Sequence, residues 1–483
     1  MSKITKYKQY INGEWVNSHS NEVIEVINPV TEEIIATVQA GTKKDVNKAL
    51  VAAKEAQDGW EALPSVQRGK YLHQMADVIR NHRDELVALL TEEQAKVTGL
   101  SQAEIDTTAD YFDYYAGWAR RIEGEIIQSD RPDEVMYLHK QAIGVAAGIL
   151  PWNFPMFVMV RKVAAALITG NTIVLKPSEE APITVTKWLE YVDKEMDLPA
   201  GVLNLINGLG REVGQALAES PIPGIISLTG SVGSGRAVMK AAAENITKVS
   251  LELGGKAPVI VCKDADLDMA VQAVIDSRLI NSGQACNCAE RVYVEDAIYD
   301  EFIERAKKIM ESVKVTNPLD PECAYSAQVS KKQLDSIDGM VRRSVEEGAT
   351  IVTGGERMTE AGKGFFYKPT LITNVSQKSE IIQAEIFGPV LPIIKFSDLD
   401  EAIEMANDSE YGLTSSVFSE DYNTVMYVQG KLKFGEVYVN REHFEAIQGF
   451  HAGWRMSGIG GADGKYGMQE YLQTKVVYAQ VRK

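Results

Sequence analysis

The chain has 483 residues, 45% hydrophobic and 24% charged, more than one small core can enclose, so it reads as two or three globular domains. A net charge of −17 excludes nucleic acid and anionic membrane as natural partners, since both demand a basic patch. No apolar signal core opens the chain, and its most apolar stretches, such as 144–150, fall far short of the ~20 residues a membrane helix needs.

In chain order, residues 10–16 carry an Asn-Gly hairpin signal between short strands. From 42 to about 124 the apolar spacing predicts helices with charged faces. Strands and helices then alternate. Strands are expected at 144–150, 171–175, 202–206 and 225–228, with helices at 162–168, 185–196, 210–219 and 236–245. That spacing implies parallel βαβ units. The alternation resumes after Glu252 with strands at 257–262 and 291–294 and helices at 266–280 and 299–313, a second α/β unit. Residues 135–142 and 474–480 alternate like strands but lie outside both runs. They are edge strands, or an arm that pairs with another subunit.

The Gly-rich turn Thr229-Gly230-Ser231-Val232-Gly233-Ser234-Gly235 lies between an expected strand and helix. Backbone N–H groups there can approach a pyrophosphate, although the same turn also serves plain chain reversal. Strand 171–175 runs into Lys176-Pro177-Ser178-Glu179. A carboxylate at a strand's carboxyl end accepts both hydroxyls of an adenosine ribose and repels a 2′-phosphate. The bland alternative is a solvated Lys–Glu pair. Cys286 sits in the loop Asn281-Ser282-Gly283-Gln284-Ala285-Cys286-Asn287-Cys288, where a thiol is either an exposed nucleophile or a small buried hydrophobe. The four cysteines of the chain (Cys262, Cys286, Cys288, Cys323) form no disulfide pattern and suit a reducing, cytoplasmic setting. No His or second Cys pair completes a metal set around Cys286 and Cys288, so no metal is expected. Glu252, at a strand end before two glycines, and Asn153, in Pro151-Trp152-Asn153-Phe154-Pro155, can serve as base and oxyanion donor, or as structural residues.

The order of these pieces is more telling than any one of them. Pro151–Pro155, Lys176–Glu179, Thr229–Gly235, Glu252-Leu253-Gly254-Gly255-Lys256, Gly283–Cys286 and Glu385-Ile386-Phe387-Gly388-Pro389-Val390 together resemble the aldehyde dehydrogenase family, from Tyr10 to Tyr478. The resemblance implies an NAD-dependent enzyme with Cys286 as nucleophile, Glu252 as base, Asn153 and the Cys286 N–H as oxyanion hole, and Lys162 in the catalytic set. It implies NAD bound by Pro151, Trp152, Lys176, Ser178, Glu179, Gly210, Gly230, Ser231, Gly235, Leu253, Glu385 and Phe387. The implied α/β fold has a Rossmann-like dinucleotide-binding domain (1–122 and 142–252), a catalytic domain (253–455) and a small β oligomerisation arm (123–141 and 468–483). That arm would build homodimers or homotetramers.

The run 440–455 resembles the branch of the family that acts on lactaldehyde and glycolaldehyde. Where many relatives have aromatic tunnel walls, this chain has Arg161, Glu445 and His451, with Asn287 beside the nucleophile. A polar tunnel suits a small hydroxylated aldehyde, because buried polar groups need partners. A semialdehyde is the rival substrate, since Arg161 can pair with a carboxylate. A CoA-acylating enzyme is disfavoured by Glu252, and a catalytically silent binding protein by the intact Cys286, Glu252 and Asn153. Two departures stand out. Ala384 replaces a carboxylate common in the family, and 323–328 lacks a Gly-Pro-Leu, a change in a connecting loop expected to cost nothing.

Overall fold

The apolar runs of the first alternating region form strands with little exposure on either face: Val145–Ile149, Thr172–Lys176, Leu203–Leu205, Pro223–Thr229 and Lys248–Glu252. The structure, a computed structural model, describes residues 4–482. These five strands pair in parallel, with Val145–Ile149 flanked by Thr172–Lys176 on one side and Pro223–Thr229 on the other. The chain therefore starts in the middle of the sheet, winds to one edge, returns and winds to the other. Where the winding reverses, between Val145–Ile149 and Pro223–Thr229, a crevice opens at the carboxyl ends of the strands.

Antiparallel additions complete this sheet. Hairpin strands Gln9–Ile11 and Glu14–Val16 lie beyond Leu203–Leu205, and Gly458–Ile459 pairs with Lys248–Glu252. The hairpin turn is made by Asn12 (φ 55°) and Gly13 (φ 78°), the two consecutive left-handed residues that a tight twisted hairpin needs. Helices Lys43–Ala62, Ser65–Asn81, Arg83–Gln94 and Thr98–Ala116 occupy the predicted helical region. Much of their apolar surface packs with helix Pro155–Ile168 in the largest core.

That last helix begins at Pro155, earlier than the 162 expected from apolar spacing. Pro155 occupies the first turn, where a missing N–H costs nothing. The carboxylate of Glu104 then accepts from Met156 N (2.9 Å) and Phe157 N (3.2 Å). Region 210–219 also opens differently from a plain helix, with a π turn Gly210–Gly214 before Gln215–Glu219. The helix expected at 236–245 spans Val232–Ala242, because Ser231 caps it by accepting from Ser234 N.

A second, seven-stranded sheet runs Thr350–Thr353, Thr370–Thr373, Val390–Phe396, Ala289–Glu295, Ala257–Val261, Thr414–Phe418, Glu436–Val439. All its pairings are parallel except the first. The two segments that lay outside both runs pair with each other. Strand Leu472–Gln480 runs antiparallel along Glu134–Ala142, which also holds Glu125–Gln128. Among the described residues no helix is long and apolar enough to cross a membrane, and the four cysteines are free thiols.

Candidate active site

Helix Leu267–Leu279 delivers the chain into a left-handed turn of three residues, Asn281 (φ 49°), Ser282 (φ 62°) and Gly283 (φ 77°). Non-glycine residues in this region cost about 1–2 kcal/mol each, so the surroundings must hold them. Ser282 Oγ donates to Ser326 O (3.0 Å) and Gln328 Nε2 to Ser282 O (3.1 Å), while Val329 N donates to Gln284 Oε1 (2.9 Å). The stretch 323–328 is thus more than a connector, because it braces the cysteine loop. Cys286 emerges half-buried from this loop. Cys288 is buried where Cys286 is not fully so, and its thiol donates to Ala285 O at 2.9 Å.

Asn153 approaches the same loop from the first sheet, its Nδ2 donating to Gln284 O at 3.0 Å. An amide nitrogen carries two hydrogens, so one remains for a further acceptor. The Asn153 carbonyl is held by Lys96 Nζ (2.7 Å) and Asn281 Nδ2 (3.1 Å).

Glu252 ends strand Lys248–Glu252, and its carbonyl accepts from Gly230 N at 3.0 Å. Its carboxylate is buried, and neither oxygen has a hydrogen-bond partner. Burial pushes its carboxyl up to about 7 against the opposing charges of His451, Arg161 and Lys162. The Nε2 of His451 lies 3.7 Å from Glu252 Oε2. Burial raises the Cys286 thiol, while a hydrogen bond with His451 pulls it back. Lys162 donates to Ser227 Oγ (2.8 Å) and Thr229 Oγ1 (3.0 Å), and burial lowers its ammonium to about 7.

The four polar residues of the expected tunnel come together. Arg161 donates to Glu445 Oε1 and to Asp463 Oδ2, both at 2.7 Å, and Asn287 Nδ2 donates to Glu445 Oε2 at 2.6 Å. The guanidinium also lies 4.2 Å from the Phe157 ring centre. Two carboxylates already engage Arg161, so a substrate carboxylate would have to compete with both.

At the sheet's carboxyl edge, Glu179 Oε2 lies 2.6 Å from Lys176 Nζ, and Glu179 Oε1 accepts from Gly210 N at 3.3 Å. Ser178 is tied locally, accepting from Glu180 N. The N-terminus of helix Val232–Ala242 is open. A Cβ at Gly230 or Gly233 would meet its nearest atom only at 3.9 or 3.7 Å, leaving ordinary space for an approaching ligand. Gly235 is different. A Cβ there would lie 2.7 Å from Leu253, so its absence lets the helix pack onto the crossing segment. Beyond Pro151, the Trp152 ring meets Phe387 edge-on, with centres 5.4 Å apart. Glu290 fixes the Phe387 segment by accepting from Ile386 N (3.0 Å) and Phe387 N (3.1 Å). Glu385 Oε1 accepts from Gly255 N at 2.8 Å. Acceptors for ribose hydroxyls, an exposed helix N-terminus and an aromatic wall form a donor and acceptor set that fits a nicotinamide dinucleotide.

Sequence reasoning missed Asp463, Glu436, Lys96 and Glu104. Each is an acid or lysine in a stretch that reads as solvated, and only the folded path brings them inward. Among the described residues no group of three or more His, Cys, Asp or Glu side chains is arranged to hold a metal.

The model of the aldehyde dehydrogenase family matches residues 15–477. Lactaldehyde dehydrogenase of Escherichia coli K12 is 52% identical over 99% of this chain and 100% of its own length. The crystal structure of lactaldehyde dehydrogenase from Escherichia coli superposes with a TM-score of 0.97 at 51% identity, over 99% and 100% of the two chains. A 3,6-anhydro-L-galactose dehydrogenase in complex with NAP (40% identical, TM-score 0.96) covers 98% of this chain and 100% of its own. Betaine aldehyde dehydrogenase from Staphylococcus aureus, a point mutant in complex with NAD+, is 37% identical with a TM-score of 0.96, covering 98% and 97%. The chain therefore belongs to the aldehyde dehydrogenase family and is an NAD(P)-dependent aldehyde dehydrogenase.

Proposed function

We propose that the enzyme oxidises a small hydroxylated aldehyde, lactaldehyde or glycolaldehyde, to its carboxylic acid with NAD, through a thioester on Cys286. The observation that carries this reading is His451, which lies 3.7 Å from the buried, hydrogen-bond-free Glu252 and also bears on the Cys286 thiol, within the polar cluster it forms with Arg161, Asn287 and Glu445. The name of the Escherichia coli relative supports the same substrate class.

In this mechanism the Cys286 sulfur adds to the aldehyde carbon. The free amide hydrogen of Asn153 and the Cys286 N–H donate to the resulting oxyanion, one such donor stabilising the transition state by about 3–4 kcal/mol. Lys176, Ser178, Glu179 and Gly210 would hold the adenosine half of the cofactor, and Gly230, Ser231 and Gly235 its pyrophosphate. Pro151, Trp152, Leu253, Glu385 and Phe387 would wall the nicotinamide end. When bound there, the cofactor supplies the hydride acceptor. Glu252 then takes a proton from the water that hydrolyses the thioester, and Lys162 adds a nearby charge that modulates this carboxylate. Glu179 favours NAD, because a carboxylate accepts ribose hydroxyls but repels a 2′-phosphate.

We also take the two large sheets as the cores of a dinucleotide-binding domain and a catalytic domain, and the sheet of Glu125–Gln128, Glu134–Ala142 and Leu472–Gln480 as the core of an oligomerisation arm, in a cytoplasmic homodimer or homotetramer. The test is a panel of aldehydes with NAD or NADP, read as kcat/KM. Lactaldehyde should exceed propanal by at least about tenfold, equivalent to roughly 1.4 kcal/mol for a hydroxyl read by buried polar groups. NAD should exceed NADP by a wide margin. Equality of propanal and lactaldehyde would remove the substrate assignment, and succinic semialdehyde as best substrate would replace it with the semialdehyde reading.

A further inference from the structure

Glu436 opens strand Glu436–Val439 and has no part in the mechanism described so far. Its backbone is fixed at both ends of the peptide, Glu436 N donating to Leu413 O (3.0 Å) and Ser415 Oγ to Glu436 O (3.0 Å). Its side chain meets the buried His451, with Oε1 2.5 Å from Nδ1, and Oε2 accepts from the Tyr438 hydroxyl. The imidazole has little freedom. His451 N donates to Ala462 O (3.0 Å) and Ala462 N to His451 O (2.8 Å), a two-bond clamp on the backbone. With Nδ1 engaged by Glu436, Nε2 is the nitrogen turned towards Glu252, at 3.7 Å, and the imidazole also interacts with the Cys286 thiol.

We propose that Glu436 is a positioning residue which, through Nδ1 of His451, holds a protonated imidazole against Cys286 and so offsets the cost of forming a thiolate in a buried site. This rests on the reading of Cys286 as the nucleophile. In the step itself the thiol loses its proton to bulk solvent and the thiolate accepts a hydrogen bond from Nε2–H of the imidazolium, while the Nδ1 proton stays on its bond to Glu436. No electrons leave the pair.

The surrounding charges explain why Glu436 is needed. His451 is faced by Glu436 from one strand, Glu252 from another, and Glu445 and Asp463 from loops, while Tyr438 lies against Glu436, and Arg161 and Lys162 from helix Pro155–Ile168 act on Glu252. Burial alone would drive the imidazole neutral; the charge of Glu436, its contact with Cys286 and the charge of Glu445 outweigh burial and keep it protonated. Burial raises the thiol, His451 lowers it, and the charges of Glu445 and Glu385 raise it again. Loss of the imidazolium therefore leaves the thiol with burial and two carboxylates against its ionisation.

The test is the rate of iodoacetamide alkylation of the full-length protein between about pH 6 and 10, without aldehyde or cofactor, with the modified peptide identified by mass spectrometry. Glu436→Gln should move the alkylation midpoint of Cys286 upwards by at least about one pH unit, a tenfold loss of rate on the rising limb. His451→Asn should move it the same way, and Glu436→Asp should restore most of the parental profile. Melting temperatures check that each variant is folded; if Glu436→Gln does not fold, the His451→Asn profile decides. A midpoint unmoved in either folded variant overturns the proposal, leaving Glu436 a purely structural residue. Alkylation on a cysteine other than Cys286 overturns it together with the nucleophile it rests on. The aldehyde panel fails or succeeds independently, because iodoacetamide carries no hydroxyl for the polar cluster to read.

Discussion

Glu252 and Cys286 invite tests that separate their roles. Burial holds the Glu252 carboxyl near 7, so it is protonated at pH 6 and ionised at pH 8. Thioester hydrolysis should therefore rise with pH through about 7, and a pH-rate profile of single-turnover deacylation checks this. Glu252→Gln should remove that limb and give a burst of NADH, near one per site, before a slow steady state. Equal loss in both phases would mean that Glu252 acts mainly on the thiol. Cys286→Ala should abolish NADH formation with cofactor binding retained. Cys288→Ala should keep most activity, since that thiol is buried and spent on donating to Ala285 O; a dead Cys288→Ala beside an active Cys286→Ala would show that the wrong sulfur was chosen. At this scale the sequence was legible where a residue stands at a strand end or beside glycines, as Glu252, Asn153 and Cys286 do. It was illegible for Asp463 and Glu436, whose importance lies in partners that only the folded path brings alongside, Arg161 and His451.

The cysteine loop shows how an element imposes strain that a single residue cannot. Gly283 has φ 77°, and a Cβ there would lie 2.2 Å from the Gly388 carbonyl carbon. Gly283→Ala should therefore cost roughly 2 kcal/mol or more of stability, combining left-handed strain with a backbone clash, and should depress kcat by displacing Cys286. Gly59→Ala is the control. It lies exposed in helix Lys43–Ala62 with nothing within 4 Å of an added Cβ, so it should stabilise by about 0.5–1 kcal/mol. Urea unfolding of both variants reads the contrast, and a neutral Gly283→Ala would deny that the turn is constrained. Elements whose burial is simply apolar, such as Val145–Ile149, could be read from sequence. Thr414–Phe418 is equally buried, yet its Thr-Ser-Ser start looks like a loop. The Ser415 hydroxyl is satisfied only by donating to Glu436 O on the next strand, which no local pattern reveals. The start of helix Pro155–Ile168 was hidden for the same reason, since the cap comes from Glu104 on a distant helix.

Across the whole molecule, the candidate site draws on both large sheets, with Asn153 and Glu252 from the first and Cys286 and Glu436 from the second, so every residue of the proposed mechanism comes from one chain. The sheet of the proposed arm contributes none of them. Its outer strands, Glu125–Gln128 and Leu472–Gln480, each have one edge unpaired among the described residues. They expose Ile126 (76%), Val476 (41%), Val477 (37%) and Tyr478 (64%). An apolar strand with an open edge is a template for pairing with another chain unless something covers it, and a second copy of the same arm is the occupant that the proposed assembly supplies. Placing charge on this face should be incompatible with burial there, because an unpaired buried ammonium is far costlier than an exposed one. The double variant Ile126→Lys, Val477→Lys should therefore sediment as a monomer at concentrations where the parent sediments as a dimer or tetramer. Both positions are exposed in the single chain, so the fold should survive and its melting temperature at low concentration should change little. Because the site is complete within one chain, alkylation of Cys286 should keep its parental pH profile in the monomer. A parent that is itself monomeric, or a double variant that assembles as the parent does, would remove the arm from the assembly and leave its apolar face without that role.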